Sequence, residues 1–139
     1  MNFAFYIARY GNWQDKTISY CTRGPFSHVE VVFSNGDYFS SSIRDGGTRF
    51  KRIEYSEDWR MVSFKPACPE SEIYDWCNTQ LGLKYDTLGV IGLSMGLNLT
   101  NKRRKWYCSE LCSFIAKTFG EIKTRTNISP NKFYSILLG

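Results

Sequence analysis

Residues 28–43 read HVEVVFSNGDYFSSSI, and this stretch decides the fold. Val29, Val31 and Phe33 alternate with His28, Glu30 and Val32, the period-two pattern of a strand with an apolar face. Asn35-Gly36 breaks the run, and β-prone residues resume at Tyr38. Asn-Gly between two such runs predicts a hairpin with a type I′ turn, because that turn needs positive φ at both central residues. A two-residue loop sets Ser34 opposite Asp37, Phe33 opposite Tyr38 and Glu30 opposite Ser41. His28, Glu30 and Val32 then share a face with Phe39, Ser41 and Ile43. The same alternation also describes a strand half exposed to solvent, with no further role.

On the N-terminal side, Phe3 to Arg9 reads as a first strand, and residues 11–19 as a polar loop. Ile18 to Thr22 suits a short strand or a helical turn, ended by Gly24-Pro25. On the C-terminal side, Gly46-Gly47 marks a turn into TRFKRIEY, and RMVSFK (60–65) makes another strand. About five antiparallel strands are expected. After Pro66 and Pro69 the apolar period changes to that of a helix. Glu70 to Leu81 carries Ile73, Trp76, Cys77 and Leu81 at helical spacing, with Gly82 just past its end. The glycine-rich, apolar run 83–99 suits a short helix plus loop. Ser129-Pro130 opens a last helix over 131–138, with Ser as cap and Pro in the first turn. Strands followed by helices, with no repeat or linker, predict one α+β domain spanning 1–139.

Composition agrees. At 139 residues, 42% hydrophobic and 17% aromatic, the chain can bury one sizeable core. The net charge of +5 is partly gathered at Asn101–Lys105 (NKRRK) and at Lys123/Arg125. Such patches attract nucleic acid, anionic lipid or acidic polymer, and are equally ordinary solvated surface. The aromatics are not interleaved with these charges, so no nucleic-acid partner is expected. Five cysteines without a C-x-x-C pair, and a single histidine, predict no metal site and no cofactor. An odd cysteine count fits a reducing compartment. The N-terminus lacks a basic region followed by an apolar run, and 88–99 is too short to span a bilayer. A soluble, cytoplasmic protein without a transmembrane segment is the expectation.

Trp106 to Lys117 reads WYCSELCSFIAK. Leu111, Cys112, Ile115 and Phe119 form one helical stripe, and Cys108 stands at its start with Ser109 and Glu110 in the first turn. This helix, Cys108 to Phe119 closed by Gly120, is the one on which the sheet should pack. A thiol at a helix start faces unpaired N–H groups and the positive end of the dipole, which favour a thiolate. The position also suits a small buried hydrophobe. Any imidazole chemistry must use His28, which on the expected register has Glu30 along its strand and Ser41 diagonally across. A thiolate with an imidazole to accept and return its proton is the minimum for acyl transfer through a thioester. A third polar group would orient the ring, and helix-start N–H groups could hold an oxyanion.

SHVEVVF (27–33), then KYD (84–86), then YCSEL (107–111) resembles the permuted papain-like cysteine hydrolases. These are the branch of the NlpC/P60 superfamily with YiiX-like, YebB-like and lecithin:retinol acyltransferase-like members, in which the His strand precedes the Cys helix. The likeness covers roughly residues 3–120. It implies a circularly permuted papain-like fold, with about five strands on the Cys-bearing helix and two or three further helices. It implies Cys108 as nucleophile and His28 as general base and acid. It also implies a pocket with Tyr85, flanked here by Tyr107 and Ser109. The family's third polar position lies on the strand after the His strand; here that strand has Phe39-Ser40-Ser41-Ser42, leaving Ser41 or Glu30 for the role. The activity implied is hydrolysis at an amide or ester carbonyl, with cell-wall peptide, isopeptide or acyl-ester substrates all open. The alternative is a catalytically inactive binding module that uses the same groove and the basic patches.

Overall fold

The computed structural model describes residues 1–95 and 105–139. A five-stranded antiparallel sheet runs in the order β4-β3-β2-β1-β5. Its strands are β1 (Asn2–Ile7), β2 (Phe26–Val32), β3 (Tyr38–Ser42), β4 (Gly47–Lys51) and β5 (Trp59–Ser63). Five α-helices accompany it among the described residues: α1 (Trp13–Thr22), α2 (Glu70–Thr79), α3 (Thr87–Ser94), α4 (Cys108–Gly120) and α5 (Pro130–Leu137). The α+β expectation holds in this general form. Residues 101–104 of the basic patch, and 96–99 of the glycine-rich run, lie outside the described residues.

The hairpin differs from expectation by one residue, and the consequence is large. Among the described residues of this turn, only Gly36 has positive φ, at 89°. The Gly36 N–H donates to Phe33 O at 3.0 Å and the Phe33 N–H to Asp37 O at 2.9 Å. The loop is therefore three residues long, a turn followed by one left-handed glycine, and not the two-residue type I′ form. Val31 pairs with Phe39 and Val32 with Tyr38. A slip of one residue moves every side chain of β3 to the other face. Phe39 thus joins Val31 in the main core, and Ser41 leaves the His28 face.

The second correction is α1, which occupies most of the expected polar loop. Its signal was local rather than periodic. Asn12 accepts from the Gln14 and Asp15 N–H groups at 3.0 and 3.2 Å, and Asp15 returns a bond from the Asn12 N–H at 3.0 Å. This reciprocal capping box nucleates a helix whose exposed residues include Trp13 and Tyr20 as well as Lys16 and Thr17. The cap of α5 behaves as read, Ser129 accepting from the Lys132 N–H at 3.2 Å, whereas α2 ends at Thr79 with Gln80 as its C-cap, before the expected Gly82. At the end of α4 the left-handed residue is Glu121 rather than Gly120. Gly120 is needed for another reason, since a Cβ there would stand 2.2 Å from the Phe64 ring.

One face of the sheet is plainly apolar. Phe3, Phe5, Val29, Val31 and Phe39 pack with Ile73 and Cys77 of α2, Leu111, Cys112 and Ile115 of α4, and Phe133 of α5. Phe3 and Phe133 meet edge to face with centroids 5.0 Å apart. Each such side chain contributes about 1.5–3 kcal/mol by leaving water. The opposite face carries a small cluster of Ala4, Val32, Tyr38 and Trp59, and then turns polar.

Candidate active site

That polar stretch begins with the two residues that alternate with the core positions of β2. His28 Nε2 lies 2.9 Å from Glu30 Oε1, two residues along the same strand. Glu30 is buried and is also gripped by Arg49 of β4, whose two terminal nitrogens donate to Oε2 at 2.8 Å and to Oε1 at 2.6 Å. Arg49 Nε in turn donates to Asp45 at 2.8 Å. Burial would favour a neutral Glu30, but the hydrogen bonds and charges of His28 and Arg49 outweigh it and hold the carboxyl pKa below its usual value. Glu30 therefore remains a carboxylate that fixes the ring without taking its proton.

The thiol comes from the other layer. Beyond Val31–Phe39 the β2–β3 pairing ends, and the Val29 carbonyl accepts from the Ser40 hydroxyl at 2.7 Å and the Cys112 thiol at 3.7 Å. Cys108, one helical turn before Cys112 and at the first position of α4, comes beside the His28 ring. Burial pushes the imidazole pKa down. The charge and hydrogen bond of Cys108, followed by those of Glu30, overcome this and raise it from 6.5 to about 10. The surroundings thus favour the charged form of the His28 ring. Cys77 and Cys112 differ, since burial raises both thiols well above their ordinary range and keeps them protonated.

The start of α4 suits the chemistry that would follow. No side chain caps its first-turn N–H groups. Glu110, the third helical residue, reaches back to the Tyr107 backbone N–H, half of a capping box. Tyr85 stands nearby on the connection between α2 and α3, which is held against β4 and the segment before α4: the Thr48 N–H donates to Leu83 O at 2.8 Å and the Asp86 N–H to Trp106 O at 3.0 Å. Burial, then the negative charge of Cys108, raise the Tyr85 pKa, so its hydroxyl stays a donor. Tyr85 lines both the cleft over His28 and the small cavity at Cys108.

Three other expected site residues serve the framework. The Ser41 hydroxyl donates to Trp106 O at 2.6 Å and does not join His28, as the hairpin register dictates. Ser109 donates to Ile128 O at 2.7 Å, and the Tyr107 hydroxyl lies 2.6 Å from Asn127 Oδ1. Tyr107 and Ser109 border the small cavity at Cys108, but their hydroxyls are committed internally. Of the two candidates for the third polar position, Glu30 meets His28. Arg49 was missed by sequence reasoning. The available signal was the demand of a buried glutamate for a cation elsewhere on the sheet.

A cleft of about 280 Å³ opens over His28, bordered by Tyr6, Glu30, Arg44, Lys51 and Trp59 among others. Asp86 and Glu110 lie near the Tyr107 end of the site, and each keeps one buried oxygen, Oδ2 and Oε2, without a hydrogen-bond partner. Burial, then the charge of Asp86, raise the Glu110 pKa to about 7. Among the described residues no group of three or more His, Cys, Asp or Glu is placed to hold a metal ion. No described helix is long and apolar enough to cross a membrane. No family model, curated protein or solved structure matches the chain.

Proposed function

We propose that this chain is a cysteine hydrolase of the amidase or peptidase kind, cleaving an amide or ester through an acyl-enzyme. The observation that carries the reading is the meeting of Cys108 with the His28–Glu30 pair, from segments eighty residues apart in sequence. In the first half-reaction the Cys108 thiolate adds to the carbonyl carbon. The helix-start N–H groups and the Tyr85 hydroxyl are the available donors for the oxyanion. As the tetrahedral intermediate collapses, the proton on His28 passes to the leaving nitrogen or oxygen, and a thioester remains. Water then attacks the thioester while His28 takes its proton, and release of the acid restores the thiolate–imidazolium pair. Glu30 holds the ring in place throughout.

The His strand before the Cys helix supports a circularly permuted papain-like fold for this domain. Five free cysteines support a reducing compartment such as the cytoplasm. The test is alkylation of Cys108, followed by mass spectrometry across pH, in wild type and His28→Ala. An activated pair reacts well below pH 7 and loses that reactivity without His28. A thiol that titrates in the same way in both proteins would overturn the proposal.

A further inference from the structure

We infer, resting on the hydrolase reading, that the substrate is an amphiphile: a carbonyl with an alkyl chain on one side and an anionic group on the other. Cys108 borders a narrow gap together with Ile18, Tyr85, Val90 and Leu93. From that gap the surface opens in two directions, and Ile18 and Tyr85 line both. One direction is a trough of about 230 Å³ between α1 and α3, bordered by Trp13, Ile18, Ile43, Val90 and Ile91. It is smaller than the roughly 300–1,000 Å³ of drug-sized sites, which suits a single chain. Its surface is mainly apolar, with Gln14, Thr17 and Thr87 as the polar residues along its border. Trp13 is 73% exposed, Ile91 47% and Ile43 46%, so this apolar surface stands open beside the nucleophile.

The other direction is the cleft over His28, and its accessible charge is positive. Arg44, Lys51 and Arg52 line it with side chains more than half exposed, each paired with a carboxylate less exposed than itself: Asp15, Asp45 and Asp37. The carboxylates that also line it are withdrawn: Glu30 is buried beneath Arg49, and Asp15 is buried and bound by Ser27 and Arg44. Asp45 faces Arg49 and Lys51. An anionic group on the substrate therefore meets cations on this side and an alkyl chain meets the trough on the other. The scissile carbonyl falls between them, at Cys108.

The experiment compares two ester series from acetyl to octanoyl: neutral p-nitrophenyl esters, and 4-acyloxybenzoates, whose leaving group carries a carboxylate. Release of either phenol is followed spectrophotometrically, with Cys108→Ala subtracted. The inference expects kcat/KM to rise with chain length, by up to about fourfold for each methylene that is buried. Ile91→Asp should flatten that slope, whereas Leu138→Asp, at the exposed C-cap of α5, should keep it. Lys51→Glu with Arg52→Glu should raise KM for the carboxylate series more than for the neutral one. Cys108-dependent turnover that is flat in chain length, or blind to the carboxylate, overturns the inference and leaves the hydrolase reading intact. Binding is read separately from turnover, by titrating Cys108→Ala with decanoate below its micelle concentration and following tryptophan emission, in which Trp13 is the most exposed of the four contributors. A blue shift that acetate does not produce, and that Ile91→Asp removes, supports the trough even if neither ester is cleaved. Absence of that shift overturns it.

Discussion

The two faces of the sheet are built from the same strands on opposite principles. On the α2/α4/α5 face, Phe3, Val29, Val31 and Phe39 pack without polar atoms, and their stability is non-directional. On the cleft face, His28, Glu30, Arg49 and Asp45 form a chain of directed contacts that buries charge. Buried ion pairs of this kind add little net stability compared with apolar packing, but they collapse when one partner is removed. The apolar face holds the fold, while the cleft face holds an orientation. Cys108 belongs structurally to the first and chemically to the second, because α4 packs on the apolar face while its first residue meets the imidazole.

That contrast can be broken most sharply at Cys108. Cys108→Ala should abolish turnover of any ester or amide the protein cleaves while leaving the melting temperature close to wild type. His28→Ala should reduce turnover by about a hundredfold to ten-thousandfold and lower the melting temperature below pH 6.5, where the charged ring pairs with Glu30. Arg49→Met should affect both properties. It leaves buried Glu30 without its cation, so chemical denaturation should show a loss of about 3–5 kcal/mol. Turnover should fall as well, and Glu30→Gln in the same chain should restore much of the stability but not the activity. On the apolar face, Phe3→Ala should cost about 3–5 kcal/mol with the pH dependence of Cys108 alkylation unchanged.

The smallest expected effects are those of pH. The folded state keeps a proton on His28 that the unfolded chain releases near 6.5. Its contribution to stability is complete below pH 6.5 and is lost as pH rises through about 10. Turnover should decline over the same upper limb, because the leaving group loses its proton donor. Glu110 has the same sign: folding favours its protonated form, so its contribution is complete below about 4.5 and lost as pH rises through about 7. Glu110→Gln should therefore raise the melting temperature at pH 8 and change it little at pH 4. Thermal melts from acid pH to beyond about 10 check both.

Much of this arrangement can be read without coordinates, though not all of it by the same route. Periodicity located β2, α2 and α4 to within a few residues, because each buries one face and the apolar spacing records that burial. It failed at α1, where the helix is set by the Asn12–Asp15 capping box instead. It also failed at the hairpin, where the Asn-Gly signal was real but the loop is one residue longer. That single residue decided between Ser41 and Glu30 as the partner of His28. Arg49 was invisible to local reasoning because it comes from a strand nineteen residues farther along the chain.

The sequence by itself determined the element types, the α+β class, the only histidine and the helix-start cysteine. All of these are encoded in local spacing and residue chemistry. The tertiary structure alone decided that these two residues meet, that Glu30 and not Ser41 steadies the ring, and that Arg49 keeps Glu30 charged. Those outcomes depend on register, on where the β2–β3 pairing ends and on how α4 packs across the sheet. They are set by contacts between distant segments, whose free energy is shared among many side chains and written in no one stretch of the chain.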